Sequence, residues 1–125
     1  MGLTYVQGVI CNASDPSRSF EERLLVDTGA LFSFVPRDKL AAVGITPTRR
    51  ETFRQMNGSL IEREVARALM RIAGKEEVVP VVLGEPGDAS VLGVLSLEAL
   101  ALGVDPASGE LKPVTLLAVT AFQVK

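Results

Sequence analysis

Apolar positions along this chain come in short bursts, and turn-forming residues separate them at nearly regular intervals. Most bursts are rich in Val, Leu and Ile and are too short for a long helix. That pattern predicts an all-β domain carrying one or two short helices. Strands are expected over 3–11 (LTYVQGVIC), 21–27 (EERLLVD), 32–36 (FSFVP), 76–84 (EEVVPVVLG) and 110–122 (ELKPVTLLAVTAF). The segments 12–20 (NASDPSRSF), 85–89 (EPGDA) and 105–109 (DPASG) read as loops or turns, because Asn, Asp, Ser, Pro and Gly bend or bond their own backbone. Pro36 should stop the third strand. Pro80 implies a strand edge or a bulge, since proline donates no ladder hydrogen bond. Helical turns are expected over 37–45, closing on Gly44, and over 94–102, closing on Gly103.

The segment 46–73 admits two readings. Asn57-Gly58 is a strong two-residue hairpin signal of type I′, with 49–56 and 60–73 as its arms. Against this, Ser59 and Glu62 make a capping box. Leu60, Ile61, Val65, Ala68, Leu69 and Ile72 follow at helical spacing, and Gly74 closes the run. Periodicity alone leans slightly to the helix.

Composition narrows the chemistry. The 125 residues suit one domain over 1–125, and 47% hydrophobic residues with a mean hydropathy of +0.30 imply large buried surface, subunit contacts included. No apolar run reaches the roughly 18 residues that span a bilayer, and the first ten residues lack a secretory pattern. The expectation is a cytoplasmic protein with no membrane partner. A net charge of −2 gives no reason to expect nucleic acid. There is no histidine, which removes Ser-His-Asp triads, Cys-His dyads and histidine metal sites. Cys11 stands alone and reads as a small buried strand residue. No glycine-rich phosphate loop occurs, and no cofactor or metal is expected. Carboxylates, hydroxyls, Lys, Arg, Tyr and backbone are what remain.

One carboxylate sits in an unexpected place. In LLVDTGALFSFVP (24–36), Asp27 interrupts a run that otherwise asks to be buried. A buried carboxylate must be hydrogen-bonded, paired or protonated. Gly29 lets backbone approach it and supply an N–H, and Thr28 offers a hydroxyl.

LLVDTGALFSFVP resembles the active-site segment of the retropepsin-like aspartic proteases, in which apolar residues lead into Asp-Thr-Gly-Ala. The segment VLGVLSLEALALGVDPASGEL (91–111) is similar to that family's second hallmark, an apolar pair and a glycine beneath the catalytic loop, then a helix and a last strand. Between them MNGSLIEREV (56–65) resembles the flap, a hairpin that folds over substrate. The likeness runs from about Leu3 to Thr120 with its parts in order, and it is closest to the single-domain bacterial and archaeal members. It implies a retropepsin-like closed β-sheet domain. It also implies strand for 60–73, leaving Ser59 and Glu62 as surface residues.

The resemblance implies the following roles. Asp27 is the catalytic general acid/base, and Thr28, Gly29 and Ala30 support the loop. Thr28 bridges two such loops, and Ala30 keeps the space beside the carboxylate small. Asn57, Gly58 and Ser59 form the flap tip over a peptide substrate, and Leu92 and Gly93 pack under the loop. Phe32, Phe34 and Val94 are candidates for substrate pockets or for core. Only one Asp-Thr-Gly exists in the chain, whereas this chemistry needs two carboxylates sharing a proton. The expectation is therefore a C2 homodimer with Asp27 of each subunit on the axis.

Two departures from the family stand out. Leu31-Phe32-Ser33 replaces the acidic residues of many retroviral members, and only Met1–Leu3 and TAFQVK (120–125) are available to interleave termini. Two other readings compete. One is an inactive dimerisation or peptide-binding module of the same fold. The other is a metal site built on Glu85, Asp88 and Asp105, which no ligand spacing supports.

Overall fold

The computed structural model describes residues 3–116, and strands dominate it. In chain order the elements are β1 (Tyr5–Asn12), β2 (Asp15–Val26), β3 (Ser33–Pro36), α1 (Arg37–Ala42), β4 (Arg49–Arg54) and β5 (Leu60–Ile72). There follow β6 (Lys75–Gly84), β7 (Val91–Leu92), α2 (Val94–Ala99), β8 (Leu102–Val104) and β9 (Leu111–Pro113). Seven strands form one sheet in the order β1-β2-β7-β3-β6-β5-β4. β5 also pairs with β1, through Val9 with Arg71, Ile10 with Met70 and Cys11 with Leu69, so the sheet closes on itself. The small β8–β9 ribbon is separate. This is an all-β fold. No described helix is long and apolar enough to cross a membrane.

The core fills the closed sheet. Ile10, Leu24, Val35, Met70, Val81 and Leu92 are each at most 1% exposed, and Leu40 of α1 and Leu97 of α2 join the same buried cluster. Non-local pairing makes most of these contacts, so each strand is held by its neighbours and not by its own propensity.

Residues 60–72 are strand, as the family resemblance implied and periodicity did not. Even positions Ala66, Ala68, Met70 and Ile72 join the core, while Val65 and Leu69 are buried on the opposite face between exposed Arg67 and Arg71. Burial on both faces of a strand with neighbours on each side mimics helical spacing. Ser59 and Glu62 are exposed surface residues, as expected.

Four local expectations need correction. The 12–20 segment is not a loop, because β1 turns at Ala13-Ser14 and β2 begins at Asp15. Asn12 Oδ1 accepts the Ser14 N–H at 2.9 Å to fix that turn, and the strand end beyond it lies in solvent, where no apolar alternation is needed. The Asn57-Gly58 turn is not type I′, since of the two only Gly58 has positive φ, at 87°. Gln55 O instead accepts the Gly58 N–H at 2.9 Å, and Gln55 N–H reaches Ser59 O at 2.8 Å. This is a three-residue loop ending in a left-handed glycine. The turn with two successive positive φ values is Ala73-Gly74, at 53° and 79°. Lastly, both helices are shorter than expected. α1 stops at Ala42, and α2 stops at Ala99, where Ala101 at φ 53° turns the chain into β8. The last strand is described only as β9, and the rest of 110–122, with TAFQVK and Met1-Gly2, lies outside the described residues.

Pro80 sits where the sequence required. It faces Arg67 on β5, while β3 pairs with β6 only from Val81 onward, so one edge at Pro80 is open.

Candidate functional site

Asp27 stands one residue beyond the end of β2, where the chain leaves the sheet. β2 runs parallel to β7, and the Asp27 N–H donates to Leu92 O at 3.0 Å, which extends that pairing into the loop. Two more bonds fasten the loop to the same segment. Val94 N–H donates to Ala30 O at 2.8 Å, and Leu95 N–H to Leu31 O at 3.0 Å. A β-carbon at Gly93 would lie 2.6 Å from the Phe32 carbonyl, so the loop rests directly on the backbone there. The structure thus brings Leu92 and Gly93 under residues 27–32.

Beneath the loop two hydroxyls replace a fully apolar floor. Ser33 and Ser96 are each 0% exposed, their Oγ atoms share a hydrogen bond of 2.7 Å, and Ser33 Oγ accepts the Gly93 N–H at 3.0 Å. All three polar groups are satisfied, which is what burial demands.

The Asp27 carboxylate is half-buried in the single chain, not buried as the sequence suggested. It escapes the core because β2 ends at Val26 and the loop turns outward. Its Oδ1 accepts the Gly29 N–H at 2.9 Å, and the Asp27 carbonyl accepts the Ala30 N–H at 3.1 Å. Thr28 is exposed, and its hydroxyl has no hydrogen-bond partner among the described residues.

The carboxylate opens on a cleft of about 850 Å³, which is the size of a small-molecule or side-chain-binding pocket. One wall is the loop with Phe32 and Phe34, another is the β4–β5 hairpin, and a third is the segment 87–91. Phe53 of β4 meets both Phe32 and Phe34 edge-to-face, each with ring centroids 5.6 Å apart. Val94 is half-buried and does not line the cleft.

At the hairpin tip Asn57 Oδ1 accepts the Ser59 N–H at 2.9 Å, and the Ser59 hydroxyl lies 2.7 Å from both Asn57 Oδ1 and Gln55 Oε1. Asn57, Gly58 and Ser59 therefore hold the turn together and do not themselves line the cleft. Met56 beside them does, and its side chain is fully exposed.

The acidic residues of the metal reading are engaged elsewhere. Asp88 takes two hydrogen bonds from Arg63, at 2.7 and 2.9 Å, and a third from the Glu85 N–H at 2.8 Å. The Arg63 bond above all holds its carboxyl below the usual range, and the same pairing raises Arg63. Glu85 pairs with Arg37, and Asp105 with Lys112. Backbone N–H bonding from Ala107, more than the lysine, lowers Asp105. No group of three or more acidic or cysteine side chains that could hold a metal occurs among the described residues.

Sequence reasoning missed Phe53, Ile61 and Val91 as cleft residues. Phe53 did carry a signal, as the lone aromatic in the otherwise polar strand RRETFR. Ser33 carried one too, lying between Phe32 and Phe34 where alternation points it inward. The Arg63–Asp88 pair carried none, because its members are 25 residues apart. No protein-family model matches the chain, and no curated protein matches it either.

Proposed function

We propose that the chain is a homodimeric aspartic endopeptidase of retropepsin type, with Asp27 of each protomer supplying half of the catalytic pair. The observation that carries this reading is the setting of Asp27. Its carboxylate opens on a cleft of about 850 Å³ walled on one side by the β4–β5 hairpin, and among the described residues it takes only the Gly29 N–H. That leaves its other lone pairs for water and for a second carboxyl. Thr28 supports a two-loop arrangement, since its exposed hydroxyl is available to a partner loop. Leu31, 57% exposed next to the site, supports an apolar contact surface there.

In this reaction two Asp27 carboxyls share one proton, because two adjacent negative charges repel. The ionised one takes a proton from water, whose oxygen attacks the scissile carbonyl carbon. The protonated one donates to the carbonyl oxygen as the C=O π bond opens. The tetrahedral intermediate then collapses: one carboxyl gives its proton to the nitrogen as the C–N bond breaks, and the other takes a hydroxyl proton as the C=O re-forms, which restores the singly protonated dyad. The β4–β5 hairpin is the flap, and Phe32, Phe34 and Phe53 receive an apolar substrate side chain. The location is cytoplasmic, the substrate a peptide or protein, and neither nucleic acid nor membrane takes part.

Two measurements test this. Sedimentation at micromolar concentration is expected to give a dimer. Incubation with unstructured peptides at about pH 4 to 7, the range for a carboxylate dyad, is expected to give cleavage that Asp27→Asn abolishes. Equal cleavage by both proteins, or none by either, overturns the reading and leaves a non-enzymatic module of the same fold.

A further inference from the structure

We propose that the Arg63–Asp88 ion pair is a strut that fixes the height of the β4–β5 hairpin over the cleft, making Arg63 and Asp88 positioning residues for substrate binding. The inference rests on the peptidase reading for its kinetic consequence, though not for its structural one.

The hairpin leaves the closed sheet at Val65. That residue pairs with Val82, and it is the last position at which β5 has β6 beside it. From Leu60 to Glu64 the strand is paired only with β4. Among the described residues, no backbone hydrogen bond joins this stretch to the 85–90 segment, whose residues Gly87, Asp88 and Ala89 line the cleft. Side chains make the connection instead. Arg63 donates from Nε and from a terminal nitrogen to the two oxygens of Asp88, at 2.7 and 2.9 Å. Both side chains are only 17% exposed. A two-pronged, largely desolvated pair holds orientation as well as distance, unlike the single surface contacts that contribute little.

The far end of the strut is itself fixed. Asp88 Oδ2 accepts the Glu85 N–H at 2.8 Å, and Asp88 N–H donates to Glu85 O at 2.9 Å, so the 85–88 turn is closed on its own carboxylate. A second tie reaches the same turn from the next residue, whose side chain leaves the opposite face of the strand. Glu64 accepts from Arg37, and Arg37 also donates to Glu85 at 2.9 Å. The hairpin root is gripped on both faces by ties that converge on one turn. Asp88 also lines the cleft, so moving the strut moves the wall that meets substrate.

The test compares wild type with Asp88→Asn and Arg63→Gln. Asn at 88 keeps an oxygen for the Glu85 N–H, so it removes the strut's charge while sparing the turn. Amide exchange over 53–62 is expected to quicken about five- to tenfold in both variants, the range for losing a doubly bonded, part-buried pair. Peptide turnover is expected to show KM raised by a similar factor with kcat changed by less than about twofold, the pattern of lost binding. Unchanged hairpin exchange in both variants, or faster exchange confined to 84–90, overturns the strut. A wild-type protein that cleaves no peptide overturns the peptidase reading alone, because hairpin exchange decides the strut independently.

Discussion

Gly93 lies so close beneath Phe32 that a β-carbon at position 93 would stand 2.6 Å from both the carbonyl carbon and the carbonyl oxygen of Phe32. The obstacle is backbone, which cannot swing aside as a long side chain would. A third atom, Ala30 O, would lie 2.9 Å away. Gly93→Ala must therefore lift residues 30–32 from their seat. A loss of about 1–3 kcal/mol in urea unfolding is expected, the usual range for overpacking, together with loss of any activity that depends on Asp27.

The Ser33–Ser96 pair should behave as a unit. Ser33→Ala strands the Gly93 N–H and the Ser96 hydroxyl in a buried site, at a cost of about 1–3 kcal/mol. Ser96→Ala removes one partner of the same bond. The double variant is expected to lose less than the two single losses added, since the second change removes a group already orphaned. A double-mutant cycle on denaturation midpoints measures that coupling.

Ala73 holds φ at 53° at the first position of the β5–β6 turn, a conformation that favours Gly and Asn. Ala73→Asn is expected to raise stability by about 0.5–1 kcal/mol, a part of the cost of a left-handed alanine. The site is exposed and far in sequence from Asp27, so thermal melting reads the effect without confounding it with activity.

Asp88 makes acid stability a test of the strut. Its carboxyl is held below its ordinary value, first by Arg63 and then by the Glu85 N–H, while partial burial opposes them. A lowered folded-state pKa means the contribution is present above the unfolded value of about 4 and is lost as pH falls through the folded one. Arg63 stays charged throughout, and Glu85 is the other carboxylate that acts on it. Asp88→Asn should flatten the acid limb of the stability curve below about pH 4 and leave its shape near neutrality unchanged. Urea midpoints across that range check it.

Much of the fold was legible in the sequence, and the reasons are local. Short Val- and Leu-rich bursts between turn formers marked β3 and β6, and Pro36 and Pro80 stand where a missing N–H is tolerated. The Asp27 loop was legible because a carboxylate in an apolar run has few physical excuses. The first half of β2 was not, because a solvent-exposed strand end has no need of alternation. β5 was ambiguous for the opposite reason, being buried on both faces.

By itself the sequence determined the all-β character, the turns over 85–89 and 105–109, and the isolation of one carboxylate without histidine, cofactor motif or second copy. Those are matters of residue type and spacing along the chain. Tertiary structure alone decided that Asp27 is half-exposed, that Gly93 carries the loop's weight, and which charges meet. Each depends on segments tens of residues apart arriving at the same place, as Arg63 and Asp88 do. Pairing between strands fixes those distances, and the sequence states only the partners' chemistry.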